Sequence, residues 1–265
     1  MKLLIAGKGG VGKTTVAALL SHILADNGYS VLALDTDSVP NLAQSLGLPL
    51  EVAEGIVPLA KNEELAEERT GARPGEGWGL LFSLTPKVDD IVDKFGVRVR
   101  DGLSLVVVGS IDAGKEGCLC PAIALAKAFL NHVLLKRREV IVVDAEAGAE
   151  VFGRGLAEKF DMTICVSEPT VKSLAISRKL IKMSRDLGVR RNVLVINKVV
   201  DNLRAAQLYA KMFSNDPVPY HIVRYDENLV SIEARGLGVT SLPKGSPVVS
   251  DVFSLYNKVL KLVKL

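Results

Sequence analysis

No stretch of this chain approaches the ~18 consecutive apolar residues that a membrane-crossing helix needs, although hydrophobic residues make up 48% of its 265 positions. The apolar opening Met1–Ala6 ends at Gly7 and Lys8, too soon for the core of a secretory signal. The expected location is therefore cytoplasmic. Charge of one sign is also scarce. The 33 basic and 30 acidic residues leave a net charge of +3, too slight a field to call for a nucleic-acid partner. Three cysteines make no disulfide framework. In a reducing compartment a close pair of them binds metal or does redox work. The histidines, His22, His132 and His221, have no metal-ligand spacing and read as surface or polar-packing residues.

What is present is an alternation of short apolar β-rich runs and helical periodicity. Strands are expected at Leu3–Ala6, Val31–Leu34, Leu103–Val108, Val140–Val143, Met162–Val166 and Val193–Ile196. Near-continuous apolar runs of this kind suit parallel strands buried on both faces. Helices are expected at Thr14–Asn27, Ile123–Leu135, Val171–Leu187, Asp226–Ala234 and Ser250–Leu265. The fold class is α/β, a doubly wound, mostly parallel sheet flanked by helices. Residues 48–102 break the rhythm with acidic "KNEELAEERTG" and Gly- and Pro-rich "ARPGEGWG". They read as an insertion within a single domain spanning residues 1–265.

The strongest local signal is "GKGGVGKTT", Gly7 to Thr15, which follows a strand and opens a helix. Gly7-x-x-x-x-Gly12-Lys13-Thr14 is a P-loop pattern. The backbone of Gly9, Gly10, Val11, Gly12 and Thr15 can cradle phosphates, Lys13 can meet the β/γ oxygens, and the Thr14 hydroxyl can ligate Mg²⁺. Such a loop needs acidic partners from neighbouring strands. Asp35 and Asp37 follow the second strand in "LALDTDSVPN", and spacing alone does not choose between them. Asp144 ends the apolar run "VIVVD", where it can hold water on Mg²⁺, and the Gly148 amide can approach a γ-phosphate. The alternative for each aspartate is a helix N-cap or turn former, against which the four apolar β-branched residues before Asp144 speak. Asn197, ending "VLVIN", carries an amide that can both donate to and accept from adenine.

The extra lysine in "KGGVGKTT", Lys8, marks a resemblance to the deviant Walker A ATPases of the MinD/ParA type, the group that also holds nitrogenase iron protein. The resemblance implies ATP as substrate and a nucleotide-dependent homodimer. It implies that Lys8 reaches across the dimer to the partner's phosphates, that Asp37 orients the attacking water and that Asp35 lies beside the magnesium waters. It also implies that Asn197 reads adenine, so that ATP is favoured over GTP. A GTPase of this architecture would show Asn-Lys-x-Asp, whereas Lys198 is followed by Val199, Val200 and then Asp201. "EPT" at Glu168–Thr170 and "YDEN" at Tyr225–Asn228 fall where the group keeps loops around the base.

A second pattern is Cys118-x-Cys120, behind a Gly-containing loop and directly before Pro121. Proline favours the first turn of a helix, which would place both thiols at its positive end and favour thiolates. A two-fold axis nearby would gather both pairs into a closed four-thiolate site; the alternative is two buried, inert cysteines. Cys165 in "MTICVS" reads as core. With the deviant P-loop, "LFSLTPKVDDIVDKFGV" at 81–97, "GCLCP" at 117–121 and "DAEAGAEVFGRG" at 144–155, the chain resembles the CooC-type accessory ATPases. These insert nickel into carbon monoxide dehydrogenase, and close relatives serve acetyl-CoA synthase. That resemblance implies an interface site for Ni²⁺ or Zn²⁺ held by Cys118 and Cys120 of both chains, reset by hydrolysis. Rival readings are a spatial-organisation ATPase and an iron–sulfur carrier. The basic, amphipathic C-terminal segment could lie on a membrane, but packing on the sheet is the expected role.

Overall fold

Leu3, Leu4, Ile5 and Ala6 are all fully buried, and they alternate between two hydrophobic layers on opposite faces of one sheet. This placement follows from the two-residue side-chain period of a strand. The structure is a computed structural model and describes residues 1–72, 83, 87–109, 121–136, 139–145 and 159–263.

The strands are β1 (Lys2–Gly7), β2 (Val31–Asp35), β3 (Val97–Arg100), β4 (Leu103–Val107), β5 (Val140–Asp144), β6 (Met162–Ser167), β7 (Asn192–Val199) and β8 (Tyr220–Arg224). They form an eight-stranded sheet in the order β3-β4-β2-β5-β1-β6-β7-β8. Every pairing is parallel except β3 with β4. The helices are α1 (Lys13–Asp26), α2 (Leu42–Ser45), α3 (Leu50–Glu54), α4 (Glu63–Thr70), α5 (Ile91–Phe95), α6 (Pro121–Lys136), α7 (Val171–Asp186), α8 (Asn202–Met212), α9 (Glu227–Ala234) and α10 (Pro247–Val263). Helices α1 and α10 pack on one face; α6, α7 and α8 contribute to the core on the other.

This is the doubly wound, mostly parallel architecture expected. Two strands and one long helix were not legible. Strand β3 alternates Val with Arg at an edge, and β8, "YHIVR", is an edge strand with most side chains only half-buried. Neither has the continuous apolar run of an interior strand. Helix α8 was missed although Ala205, Leu208, Tyr209 and Met212 recur at helical spacing and pack against the core. Within residues 48–102, Arg69 on α4 pairs with Asp90 at 2.8 Å, just before α5.

Helix α10 buries Val248, Val252, Leu255, Tyr256 and Val259. Its apolar face is thus already occupied by packing on the sheet, the role expected for it. Among the described residues no helix is long and apolar enough to cross a membrane.

Candidate nucleotide-binding site

Strand β1 lies at the centre of the sheet, and the loop at its C-terminal end carries the glycines. Gly10 and Gly12 have φ of 77° and 91°, a region that side chains bearing Cβ rarely enter. At Gly12 a Cβ would also collide with the Asn197 amide. These two positions need glycine. They let successive amides converge into a concave nest that suits an anion, at the N-terminus of α1 where the helix dipole adds positive potential.

Several backbone carbonyls around this loop each take a donor. Lys13 Nζ donates to Lys8 O at 3.2 Å, Lys198 Nζ to Gly10 O at 2.7 Å, Asn197 Nδ2 to Val11 O at 2.9 Å and Val16 N to Gly12 O at 3.1 Å. Lys13 is nearly buried, whereas Lys8 is exposed. Thr14 and Thr15 open α1, and the Thr15 hydroxyl donates to Glu233 Oε1 on α9 at 3.2 Å.

The carboxylates come from β2 and β5, adjacent parallel strands on which Asp35 and Asp144 are register partners. Asp144 is 2% exposed. Burial pushes its carboxyl up to about 7, with Asp35 and Asp37 adding repulsion, while a hydrogen bond from Thr14 and the nearby Lys13 charge oppose the shift. Its Oδ1 has no hydrogen-bond partner. A buried, unpartnered carboxylate oxygen beside a threonine hydroxyl is a hard donor set, and it fits Mg²⁺. Asp35 is fully buried, and desolvation raises it to about 6. Its oxygens accept from the amides of Asp37, Asn41 and Leu42 at 2.9–3.0 Å. Asp35 therefore also shapes the loop that presents Asp37. Asp37 is half-buried, accepts from Val39 N at 3.0 Å and faces the cleft.

The cleft has a volume of about 620 Å³ and runs from the glycine loop past Asp37 and Asn197 to Tyr225, Asp226 and Glu233. That suits a small-molecule ligand. Asp226 caps α9 through Asn228 N at 2.9 Å and also holds Val248 N at 3.2 Å, tying the far wall to α10. The structure thus gathers Gly9, Gly10, Gly12, Lys13, Thr14, Thr15, Asp37 and Asn197 around one cavity, with Asp35 and Asp144 at its glycine-loop end. Val11 is buried beneath the loop. Sequence reasoning missed Glu233, which lies 218 residues from Thr15 with no motif to announce it.

Cys118, Cys120 and Gly148 lie outside the described residues. Among the described residues helix α6 runs from Pro121 to Lys136. Among the described residues no cluster of three or more His, Cys, Asp or Glu is arranged to hold a metal. Cys165 is buried, its thiol pushed up to about 12 by desolvation, as befits a core residue. His22 and His221 each hydrogen-bond a backbone carbonyl, Leu46 O and Asp251 O, and serve packing.

The CobQ/CobB/MinD/ParA nucleotide binding domain matches residues 2–239 of the chain. An uncharacterized ATP-binding protein of Methanocaldococcus jannaschii is 38% identical over 99% of this chain and 98% of its own length. The carbon monoxide dehydrogenase accessory protein CooC of Rhodospirillum rubrum is 41% identical over 75% of this chain and 74% of its own. Among solved structures, the septum site-determining protein MinD of Pyrococcus horikoshii, complexed with Mg-ADP, superposes with a TM-score of 0.67. It is 21% identical, covering 98% of this chain and 96% of that one, a likeness of fold.

Proposed function

The chain belongs to the CobQ/CobB/MinD/ParA family of nucleotide-binding P-loop ATPases, and on that premise we propose that it is an ATP-hydrolysing accessory protein for nickel insertion. Its client is carbon monoxide dehydrogenase or acetyl-CoA synthase. The observation that carries the client is the likeness to the Rhodospirillum rubrum accessory protein over three quarters of each chain. The Cys118-x-Cys120 pair, directly before Pro121 in the sequence, supports a metal as cargo.

Each side chain has a separable task. Lys13 and the loop amides bind the β- and γ-phosphates, and Thr14 with Asp144 would hold Mg²⁺, which would offset charge on the phosphate oxygens. Asp37 orients the attacking water. Asn197 and the 225–233 wall hold adenine and ribose. Lys8, exposed on the rim, reaches the phosphates of a second chain, so hydrolysis waits for dimerisation. The dimer brings Cys118 and Cys120 of both chains together around one Ni²⁺ or Zn²⁺, since four thiolates accept either ion. Hydrolysis then separates the chains and frees the metal. The burial of the apolar face of α10 favours this reading over a membrane-seated spatial organiser.

The deciding experiment is titration with Ni²⁺ or Zn²⁺, with and without a non-hydrolysable ATP analogue, with mass measured alongside. One metal ion per nucleotide-bound dimer is expected. Absence of metal binding in every nucleotide state would overturn the accessory role and leave an ATPase of another purpose.

A further inference from the structure

Lys198 is the one non-glycine residue with positive φ among the described residues, at 58°. A side chain with a Cβ enters that region at a cost, so something must hold it there. The pairing of β7 with β8 shifts register between Ile196 and Val199. An irregularity of this kind re-aims the side chains within it. Both residues it contains, Asn197 and Lys198, point at the glycine loop. Asn197 caps Val11 O; Lys198 caps Gly10 O at 2.7 Å and is held from behind by Glu168 Oε1 at 3.1 Å.

We propose that Lys198 is a positioning residue that keeps the phosphate loop in its anion-binding shape by capping the Gly10 carbonyl. A loop whose amides converge on phosphate must turn its carbonyls outward, where each takes a donor from the protein or from water. Lys13 caps Lys8 O, but its ammonium is also the phosphate ligand of the proposed function. Lys198 lines the same cleft, but its ammonium is engaged by Gly10 O and Glu168 Oε1. Its charge makes the hydrogen bond to Gly10 stronger than a neutral donor would, and Glu168 aims it. The left-handed backbone at Lys198 is thus retained for what the side chain does to the loop, and adds nothing to the strand itself.

This inference rests on the nucleotide-binding reading, and equilibrium binding of a Mg²⁺–ATP analogue by the monomer tests the two separately. Lys198→Gly removes the donor and relieves the strained φ at once. Its affinity is expected to fall about 10–100-fold, the range for losing a hydrogen bond to a charged group. Its melting temperature without nucleotide should be unchanged or higher. Lys198→Arg, which keeps a cationic donor, should restore most of the affinity. Wild-type affinity in Lys198→Gly overturns the proposal, as does a loss of affinity matched by a loss of thermal stability, which would be a folding defect. If the wild-type chain binds no nucleotide, the ATPase reading fails instead.

Discussion

Thr36 donates twice to one backbone carbonyl: its N–H lies 3.0 Å and its hydroxyl 2.9 Å from the oxygen of Asp144. These bonds join the ends of β2 and β5, so the loop bearing Asp37 and the carboxylate proposed to hold magnesium water move as one body. Asp35, its oxygens taken by three loop amides, stiffens the same unit from below. Thr36→Val keeps the amide bond and loses the hydroxyl one. A buried hydrogen bond contributes about 1 kcal/mol. Nucleotide affinity should stay near wild type while turnover falls about fivefold, read by single-turnover hydrolysis.

Lys13→Ala should abolish productive nucleotide binding, whereas Asp37→Asn should leave ATP bound and slow hydrolysis by roughly 10²–10³-fold. Anchoring phosphate and orienting water are placed on different loops, at the starts of α1 and α2. Equilibrium binding and single-turnover kinetics on both variants separate the two tasks. Near-wild-type hydrolysis by Asp37→Asn would remove it from catalysis.

Much of the glycine-loop end of the cleft was legible in the sequence because it is local. Gly7–Thr15 is one continuous segment, and Asp144 is announced by the buried strand before it. The rest depends on chain crossings that no window contains. Glu233 meets Thr15 across 218 residues, and Lys198 meets Gly10 across 188. Strand β8 escaped because an edge strand has no need of a continuous apolar run. Asn197 was singled out for adenine, and its contact with Val11 O became visible only once β7 and the loop lay side by side.

Lys8→Ala should bind nucleotide as a monomer with little loss, because the Lys8 side chain is exposed and its backbone carbonyl, the group that Lys13 touches, is retained. It should fail to dimerise, and turnover should drop by roughly 10³-fold or more, the scale of a cation supplied in trans. Light scattering with ATP reads the assembly directly. Normal dimerisation and hydrolysis would exclude the trans role.

The raised carboxyls of Asp144, about 7, and Asp35, about 6, predict an unusual pH dependence. Unfolded aspartates titrate near 4, so between about pH 4 and pH 7 the native chain holds more protons than the unfolded one. These two groups therefore make stability fall as pH rises through that window. Mg²⁺–nucleotide favours the ionised carboxylates, so its stabilising effect should be larger at pH 8 than at pH 6. Asp144→Asn, neutral at every pH, should flatten the dependence and raise the ligand-free melting temperature, by about 2–4 °C for each kcal/mol relieved. Differential scanning calorimetry across pH checks both. A pH-independent Tm for the wild type would mean that the pair is ionised at no cost.

Replacing Cys118 and Cys120 together by Ser should remove Ni²⁺ and Zn²⁺ binding while leaving the fold and ATP binding intact. A hydroxyl is a poor ligand for soft metals, and neither cysteine belongs to the glycine-loop motif at residues 7–15. If the four thiolates come from two chains, wild type binds one ion per dimer and none per isolated monomer. Metal then binds the dimer alone, so by mass action it must strengthen association, by about 2.7 kcal/mol when free metal stands at a hundred times its dissociation constant. The double serine variant should dimerise with ATP yet show no metal-dependent gain. Elemental analysis of the isolated dimer, with sedimentation at graded metal concentrations, measures both quantities. One ion per chain, or unchanged metal content in the serine variant, would rule out a site shared across the two-fold axis.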